Sequence, residues 1–402
     1  METEQITTPA GRTGRRIARI ILLAVLAVVV ALCIAVFAIW HNELFTLFSI
    51  KQRVAADDAH QDGAVYEMTV SGDFYFDDYL AQGGASSDKE LISFITGHIT
   101  KGIIPMNISE SNIGCSSFTA LSDNGDRLFG RNYDFSRTNT CIVHTAPGNG
   151  RHASVSTIDL QFIGIDQNSV PEGMMDKILM LAAPYVPLDG VNDAGVACGI
   201  YMTTQGAGEE TVATDQQTEK PDLTSTTMLR LILDYADSVD EAVELISAYD
   251  LHDSANTSFH YMVADATGRS AVLEWVNATD STDNDGSKRT LNVIYSDDAP
   301  YQSVTNYILT PGYYDGEPEE SMKGLDRHQH LMNTLDASGG RVADEAAAME
   351  LLAQVGRRTW NPTTDSVTVH SVVYNLTQRT ATWVGNEHYG EESHTFHLAV
   401  AG

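Results

Sequence analysis

The stretch from Cys115 to Phe135, CSSFTALSDNGDRLFGRNYDF, reads as a single β-hairpin. Ser117–Leu121 (SFTAL) has the composition of a strand, Ser122–Asp126 (SDNGD) centres on Asn-Gly, and Arg127–Phe135 (RLFGRNYDF) is the returning strand. Asn and Gly tolerate the positive φ angles that a tight hairpin turn demands, so this pair between two strand-like runs is a strong local signal. The hairpin opens on a cysteine, directly preceded by Gly114.

On the C-terminal side the pattern predicts strands at Val155–Asp159, Val196–Met202, Phe259–Asp265, Ser270–Trp275 and Leu291–Tyr295, with turns at Asp189–Gly195 and Asp265–Gly268. Helices are expected over Thr224–Tyr235 and Ser238–Ala248, where Ser238 and Glu241 have capping-box spacing. A loop rich in Gly, Pro and Glu (311–321) precedes helices at Leu325–Leu335 and Ala343–Val355, and two strands, Thr368–Asn375 and Thr380–Gly385, end the chain. Several strands, two helical blocks and a closing hairpin describe a layered α+β domain.

On the N-terminal side, Val65–Phe76 alternates loosely, and Lys89–Ile99 places Leu91, Ile92, Ile95 and Ile99 on one helical face. Residues 41–62 read as a juxtamembrane stalk. Ile20–Trp40 is an uncharged apolar run long enough to cross a hydrocarbon core as a helix. Arg12, Arg15, Arg16 and Arg19 precede it, so the positive-inside bias puts residues 1–19 in the cytoplasm and the large domain outside. The run is longer than a usual signal-peptide core and has no clean cleavage site, which favours an uncleaved signal-anchor at the cell membrane. The expected organisation is a tail (1–19), a transmembrane helix (20–40), the stalk (41–62), a pro-segment or retained α chain (63–114) and a catalytic domain (115–402).

The chain has 402 residues, and 54 Asp plus Glu against 24 Lys plus Arg give a formal charge of -30. That charge repels nucleic acid and excludes it as an expected partner. Four cysteines are too few for a disulfide-stapled scaffold, and Cys33 lies within the apolar run. Cys141 and Cys198 sit in strand-like runs, where either a bridge or two small core residues fits.

Cys115 stands where an N-terminal nucleophile would. In that chemistry the thiol attacks and the α-amine of the same residue carries the proton, since an amine with a pKa near about 8 is a competent base near neutrality. A bare glycine carbonyl at 114 lets the thiol approach for an N-to-S acyl shift, which hydrolysis converts into a free amine.

The Cys115 hairpin, with Gly130-Arg131-Asn132-Tyr133-Asp134-Phe135 closing it, resembles the choloylglycine hydrolase family, which includes penicillin V acylases, acid-ceramidase-like amidases and acyl-coenzyme A:6-aminopenicillanate acyltransferases. Three other elements fit in the same order: Asp189-Gly-Val-Asn192-Asp-Ala-Gly195, Thr305-Asn306, and Leu325-Asp-Arg327. The final strand pair resembles the family's closing hairpin. The resemblance implies a four-layer αββα sandwich of the N-terminal-nucleophile type, preceded here by one transmembrane helix. It implies a cysteine amidohydrolase acting on a small N-acyl amide, with Cys115 as nucleophile, Arg131 favouring its thiolate and Asp134 orienting the amine. It makes Asn192 an oxyanion donor, Asn306 a support for the nucleophile and intermediate, and Arg327 a partner of Asp134 or a holder of a substrate carboxylate. It also implies that the pre-Cys115 segment stays docked as a non-covalent α chain; homo-oligomerisation is left open.

Each residue has a plainer reading. Arg131 with Asp134 fits an ordinary ion pair, Asn192 a turn residue, Asn306 a helix cap and Arg327 a solvated helix charge. Phe135, Phe162, Ile163 and Tyr201 suit either an acyl pocket or the core. The rival activities are acyl transfer from the same thioester and a noncatalytic membrane-anchored surface binding module. No cofactor or metal is expected: His328/His330 and His394/His397 lack matched ligands at informative spacing, and no His-Glu-x-x-His occurs.

Overall fold

In the computed structural model the described residues are 10–104, 114–166, 171, 173–205, 211–277, 285–296, 299–315, 319–362 and 366–401. Residues 1–9 of the expected cytoplasmic tail and residues 105–113 of the expected pro-segment lie outside them.

The hairpin forms as read, with strands Gly114–Ser122 and Arg127–Phe135 in antiparallel register, Cys115 opposite Tyr133 and Ser117 opposite Arg131. Gly130 is required by packing: a Cβ there would come within 2.8 Å of the Phe118 ring on the neighbouring strand. The hairpin lies within a seven-stranded sheet. Across that sheet run Ser303–Val304, the two hairpin strands, Val367–Asn375, Thr380–Gly385 and Thr395–Ala399, while Arg341–Val342 pairs in parallel with the first hairpin strand.

The second large sheet has nine strands. Its order is Lys51–Val54, Val65–Val70, Thr140–Thr145, Ser154–Asp159, Asp189–Asn192, Ala197–Thr203, Ser258–Ala264, Ser270–Val276 and Thr290–Tyr295. Neighbours are antiparallel except Val65–Val70 with Thr140–Thr145. Helices Ser225–Tyr235 and Val239–Ser247 pack on this sheet, and helices Leu325–Ser338 and Glu345–Gln354 on the other. The four-layer αββα order expected from the resemblance is therefore present.

Strand alternation sorts the hairpin's side chains between two cores. Phe129 and Tyr133 join the large core shared with the nine-stranded sheet, whereas Phe118, Ala120 and Leu128 pack with Leu331, Leu335, Ala348 and Leu352 of the outer helices. One hairpin thus presents two chemically distinct faces.

The N-terminal helix runs Ala10–Ser49 with a kink at Trp40. Its apolar stretch, from Ile20 to Ile39, is exposed and is long and apolar enough to cross a membrane. Beyond the kink the helix docks on the domain. Trp40 Nε1 donates to Ile99 O at 3.1 Å, Ser71 N donates to Thr46 Oγ1 at 2.9 Å, and Ile50 enters the large core.

Several expectations are corrected. Residues 41–62 do not form a stalk, because the helix end and edge strand Lys51–Val54 pack against Val65–Val70. The alternating run from Val65 ends as a strand at Val70, and Phe76 begins a short helix. Asp189–Asn192 is a strand rather than part of a turn; the turn follows it, with Gly195 at φ +84. A third strand, Thr395–Ala399, covers the closing pair. Cys141 and Cys198 are free and buried, so they serve as small core residues.

The segment before Cys115 supplies part of the main core. Tyr66, Met68, Phe76, Tyr79, Leu91, Phe94 and Ile95 are all buried there, and Tyr185 closes over the Phe74/Phe76/Tyr79 ring cluster. Each such burial contributes about 1.5–3 kcal/mol. Residues 40–63 add the Trp40 and Thr46 hydrogen bonds, buried Ile50 and the edge strand Lys51–Val54, so a chain starting at Trp40 should fold as a soluble, monodisperse protein, while one starting at Ala64 should aggregate or melt at markedly lower temperature. Size exclusion and thermal melting of the two truncations check this, and equal behaviour would mean that residues 40–63 are a tether after all.

Candidate active site

The Cys115 side chain and its backbone nitrogen face different groups. On the inner face, between the sheets, Arg131 Nη2 lies 3.4 Å from Cys115 Sγ and donates to Ile200 O at 2.7 Å. Its Nε donates to Asp189 Oδ2 at 2.8 Å, which ties the seven-stranded sheet to the nine-stranded one. The Tyr201 ring lies against the guanidinium, 4.5 Å from Cζ, and the Tyr201 hydroxyl donates to Ser117 Oγ at 2.5 Å.

Asp189 also meets His370 Nε2 at 2.9 Å and accepts from the Tyr374 hydroxyl at 2.5 Å. Burial alone would raise this carboxyl, but the His370 and Arg131 charges and the hydrogen bonds from His370 and Tyr374 hold it down to about 2. The carboxylate is thus a fixed counter-charge for the guanidinium beside the sulfur.

On the outer face the backbone N–H of Cys115 donates to Asn306 Oδ1 at 3.1 Å. The same oxygen accepts from Arg327 Nη2 at 2.9 Å, and Asn306 Nδ2 donates to Met202 O at 2.8 Å. Arg327 Nη1 bonds Asp134 Oδ2 at 2.6 Å, and the Thr368 hydroxyl donates to Asp134 Oδ1 at 2.7 Å. Asn306 is therefore the acceptor at the nitrogen, and Asp134 acts on it through Arg327. Breaking such a buried ion pair from one side costs several kcal/mol, so the chain of contacts holds the Asn306 oxygen in place.

Gly114 borders a cleft of about 310 Å³, also lined by Met202, Thr204, Asn306, Lys323 and Arg357. Cys115 is fully buried behind it. Burial pushes its thiol up to about 11, against the pull of Arg131 and Arg327. The expectation that Arg131 favours thiolate is thus outweighed while the chain continues through Gly114.

Five of the six expected site residues, Cys115, Arg131, Asp134, Asn306 and Arg327, come together. Asn192 does not join them. Its Nδ2 donates to Ala236 O at 2.8 Å, and its Oδ1 accepts from the amides of Ala194 and Val196, so its side chain is committed to the turn. The strand pairing explains this: Asp189 pairs with Gly199 but Val191 with Ala197, which carries Asn192 away from the Met202 end that faces the cleft. Phe162, Ile163 and Tyr201 are core residues, and Phe135 is buried too. Sequence reading missed Asp189, His370, Tyr374 and Thr368 as site partners. Asp189 opens the quoted Asp-Gly motif, but nothing local marked its side chain as the counter-ion of Arg131.

A family model described as "Linear amide C-N hydrolases, choloylglycine hydrolase family" matches residues 115–280. The match begins on Cys115 and bears out the resemblance drawn from the hairpin. Among curated proteins none matches the sequence. Among solved structures, a conjugated bile acid hydrolase variant from Clostridium perfringens is similar at 14% identity and TM-score 0.48, covering 71% of this chain and 92% of that one. Penicillin V acylase from Agrobacterium tumefaciens aligns at 16% identity and TM-score 0.45, over 67% of this chain and 83% of its own. The Caenorhabditis elegans ortholog of N-acylethanolamine-hydrolyzing acid amidase aligns at 18% identity and TM-score 0.40, over 65% and 93%.

Raised pKa and burial have a measurable consequence. In the unbroken chain, alkylation of Cys115 by iodoacetamide at pH 7.5 should be slower than that of a free thiol by at least about 100-fold. Its rate should rise with pH until about 11, as the thiolate fraction grows. Peptide mass mapping separates Cys115 from Cys33, and rapid labelling at neutral pH would contradict the burial described.

Proposed function

We propose that the chain is a cysteine amidohydrolase whose nucleophile, Cys115, becomes a new N-terminus by self-cleavage at Gly114. The observation that carries this reading is the divided environment of Cys115, with its sulfur beside Arg131 and its nitrogen beside Asn306. A nucleophile whose own amine is the base needs both atoms served at once. The position of Gly114 against the cleft adds support, because a cut after Gly114 lets that new chain end move aside and opens a path from solvent to the sulfur.

In the processing step Cys115 Sγ attacks the Gly114 carbonyl, the peptide nitrogen leaves as an amine, and water hydrolyses the resulting thioester to a Gly114 carboxylate. In turnover the thiol attacks the substrate carbonyl after giving its proton to the α-amine. The α-ammonium then protonates the leaving amine, and water, with the amine as base, releases the acid. Asn306 orients the amine, Arg327 and Asp134 hold Asn306, and Arg131 stabilises negative charge on the sulfur. Asn192 takes no part in the reaction.

The segment before Cys115 stays bound after the cut, since its burial in the shared core does not depend on the Gly114–Cys115 bond. The exposed apolar helix, flanked by Arg15, Arg16 and Arg19, anchors the protein in the cell membrane with the hydrolase domain outside.

The substrate is an N-acyl amide whose amine portion carries an anionic group. Lys323 and Arg357 border the cleft against one carboxylate, Asp326, while Arg327 is already paired with Asp134, although the whole chain carries a formal charge of -30. N-acyl amino acids, conjugated bile salts and penicillins meet that requirement; neutral lipid amides do not.

Intact-mass analysis should find a fragment beginning at Cys115 in the native protein and only the full-length chain in Cys115→Ala, which should also be inactive. A native chain that hydrolyses amides while still joined at Gly114–Cys115 would sink the proposal; an unbroken inert chain would favour a binding module. Against matched acyl chains, kcat/KM for an N-acylglycine should exceed that for an N-acylethanolamine by at least about tenfold, the equivalent of 1.4 kcal/mol. The reverse order would reject the charge argument.

A further inference from the structure

The geometry points to a divalent-cation site of the zinc class formed by His388, Glu391 and His394, on the seam between the segment before Cys115 and the chain after it. The donor atoms of these three residues lie within 4.8 Å of one another. His388 Nδ1 is 3.2 Å from Glu391 Oε1, and His394 Nδ1 is 3.5 Å from Glu391 Oε2. One carboxylate therefore faces the same ring nitrogen of both histidines. Two imidazoles and a carboxylate are a common zinc donor set, with water supplying the fourth position of a tetrahedron.

A second observation separates this group from a chance surface cluster. The other nitrogen of His388, Nε2, is held at 2.7 Å by Asp62 Oδ2, and Asp62 is itself nearly fully buried, at 2% exposure. A carboxylate that takes the N–H on one side of an imidazole fixes its tautomer and leaves the opposite nitrogen as a free lone pair for a metal. Asp62 is fixed in turn by Arg358 Nη2 at 2.7 Å, so the support is built from both segments.

The ring arrangement is that of an empty site. The His388 and His394 rings stack with centroids 3.9 Å apart and planes at 17°. Parallel rings cannot both aim Nδ1 at one ion, so binding turns the His394 ring out of the stack and brings in the half-exposed Glu391, until the donor atoms stand about 3.4 Å apart. The spacing His-x-x-Glu-x-x-His is visible in residues 388–394, but the sequence alone pairs His394 with His397 just as readily. In the structure His397 instead lies beside the Thr382 hydroxyl at 3.3 Å. Bound metal would brace the 386–394 loop, whose Asn386 already donates to Gly63 O at 3.0 Å, against the N-terminal segment.

The test uses the full chain in detergent, stripped with EDTA, dialysed and titrated with zinc chloride. One equivalent should bind per chain and raise the melting temperature, and cobalt(II) in its place should give the visible absorption of a tetrahedral site. His394→Gln and Glu391→Gln should each weaken zinc binding at least tenfold, and His397→Gln should leave it unchanged. All three residues lie at the surface, so circular dichroism should show each variant folded. Absence of stoichiometric zinc, or zinc bound equally by His394→Gln, would overturn the proposal and leave His388 as the centre of an ordinary ion-pair cluster.

Discussion

The buried guanidinium of Arg131 is the constraint around which the two sheets are arranged. It projects from the hairpin strand into the space between the layers, where a lone charge would be costly. Asp189 from the opposite sheet supplies the counter-charge at 2.8 Å, the Ile200 carbonyl takes a second donor, and the Tyr201 ring covers a face. His370 and Tyr374, from the strand paired with that of Arg131, also bond Asp189. Since these six residues come from four strands of two sheets, the position of the charge beside Cys115 Sγ is fixed by the packing of the whole sandwich.

The same logic divides labour at Cys115. Period-two alternation sends its side chain toward Arg131 and leaves its backbone edge toward Asn306, Arg327 and Asp134. Charge that stabilises a thiolate and hydrogen bonding that orients a nitrogen are thereby kept on opposite sides of one strand. With the chain joined through Gly114, burial dominates over the neighbouring guanidinium charges and the thiol stays protonated.

The segment preceding Cys115 enters the architecture at two levels. Its strand Val65–Val70 is interior to the nine-stranded sheet, and its helices close over the ring cluster at Tyr185. The residues just before that strand meet the 386–394 loop through Asp62 and Gly63. Apolar burial binds it broadly, and the polar seam sets its register.

Much of this was legible in the residues themselves. The hairpin, the helices over 225–235 and 239–247, and the closing strands over 367–375 and 380–385 follow from local periodicity and turn chemistry, which act within a few residues. Cys115, Arg131 and Asp134 were legible because they share that hairpin, while Asn306 and Arg327 were drawn from their motifs. Residues 41–62 misled because a polar, mixed stretch looks the same whether it is free or docked. Asn192 misled because a turn asparagine and an oxyanion donor share one local pattern, and only strand pairing shows which end of the strand meets the cleft. Asp189, His370, Thr368 and the His388–His394 pair were decided by tertiary structure alone. Their partners lie far away in sequence, and Coulomb attraction and hydrogen bonding depend on distance in space, which no local pattern encodes.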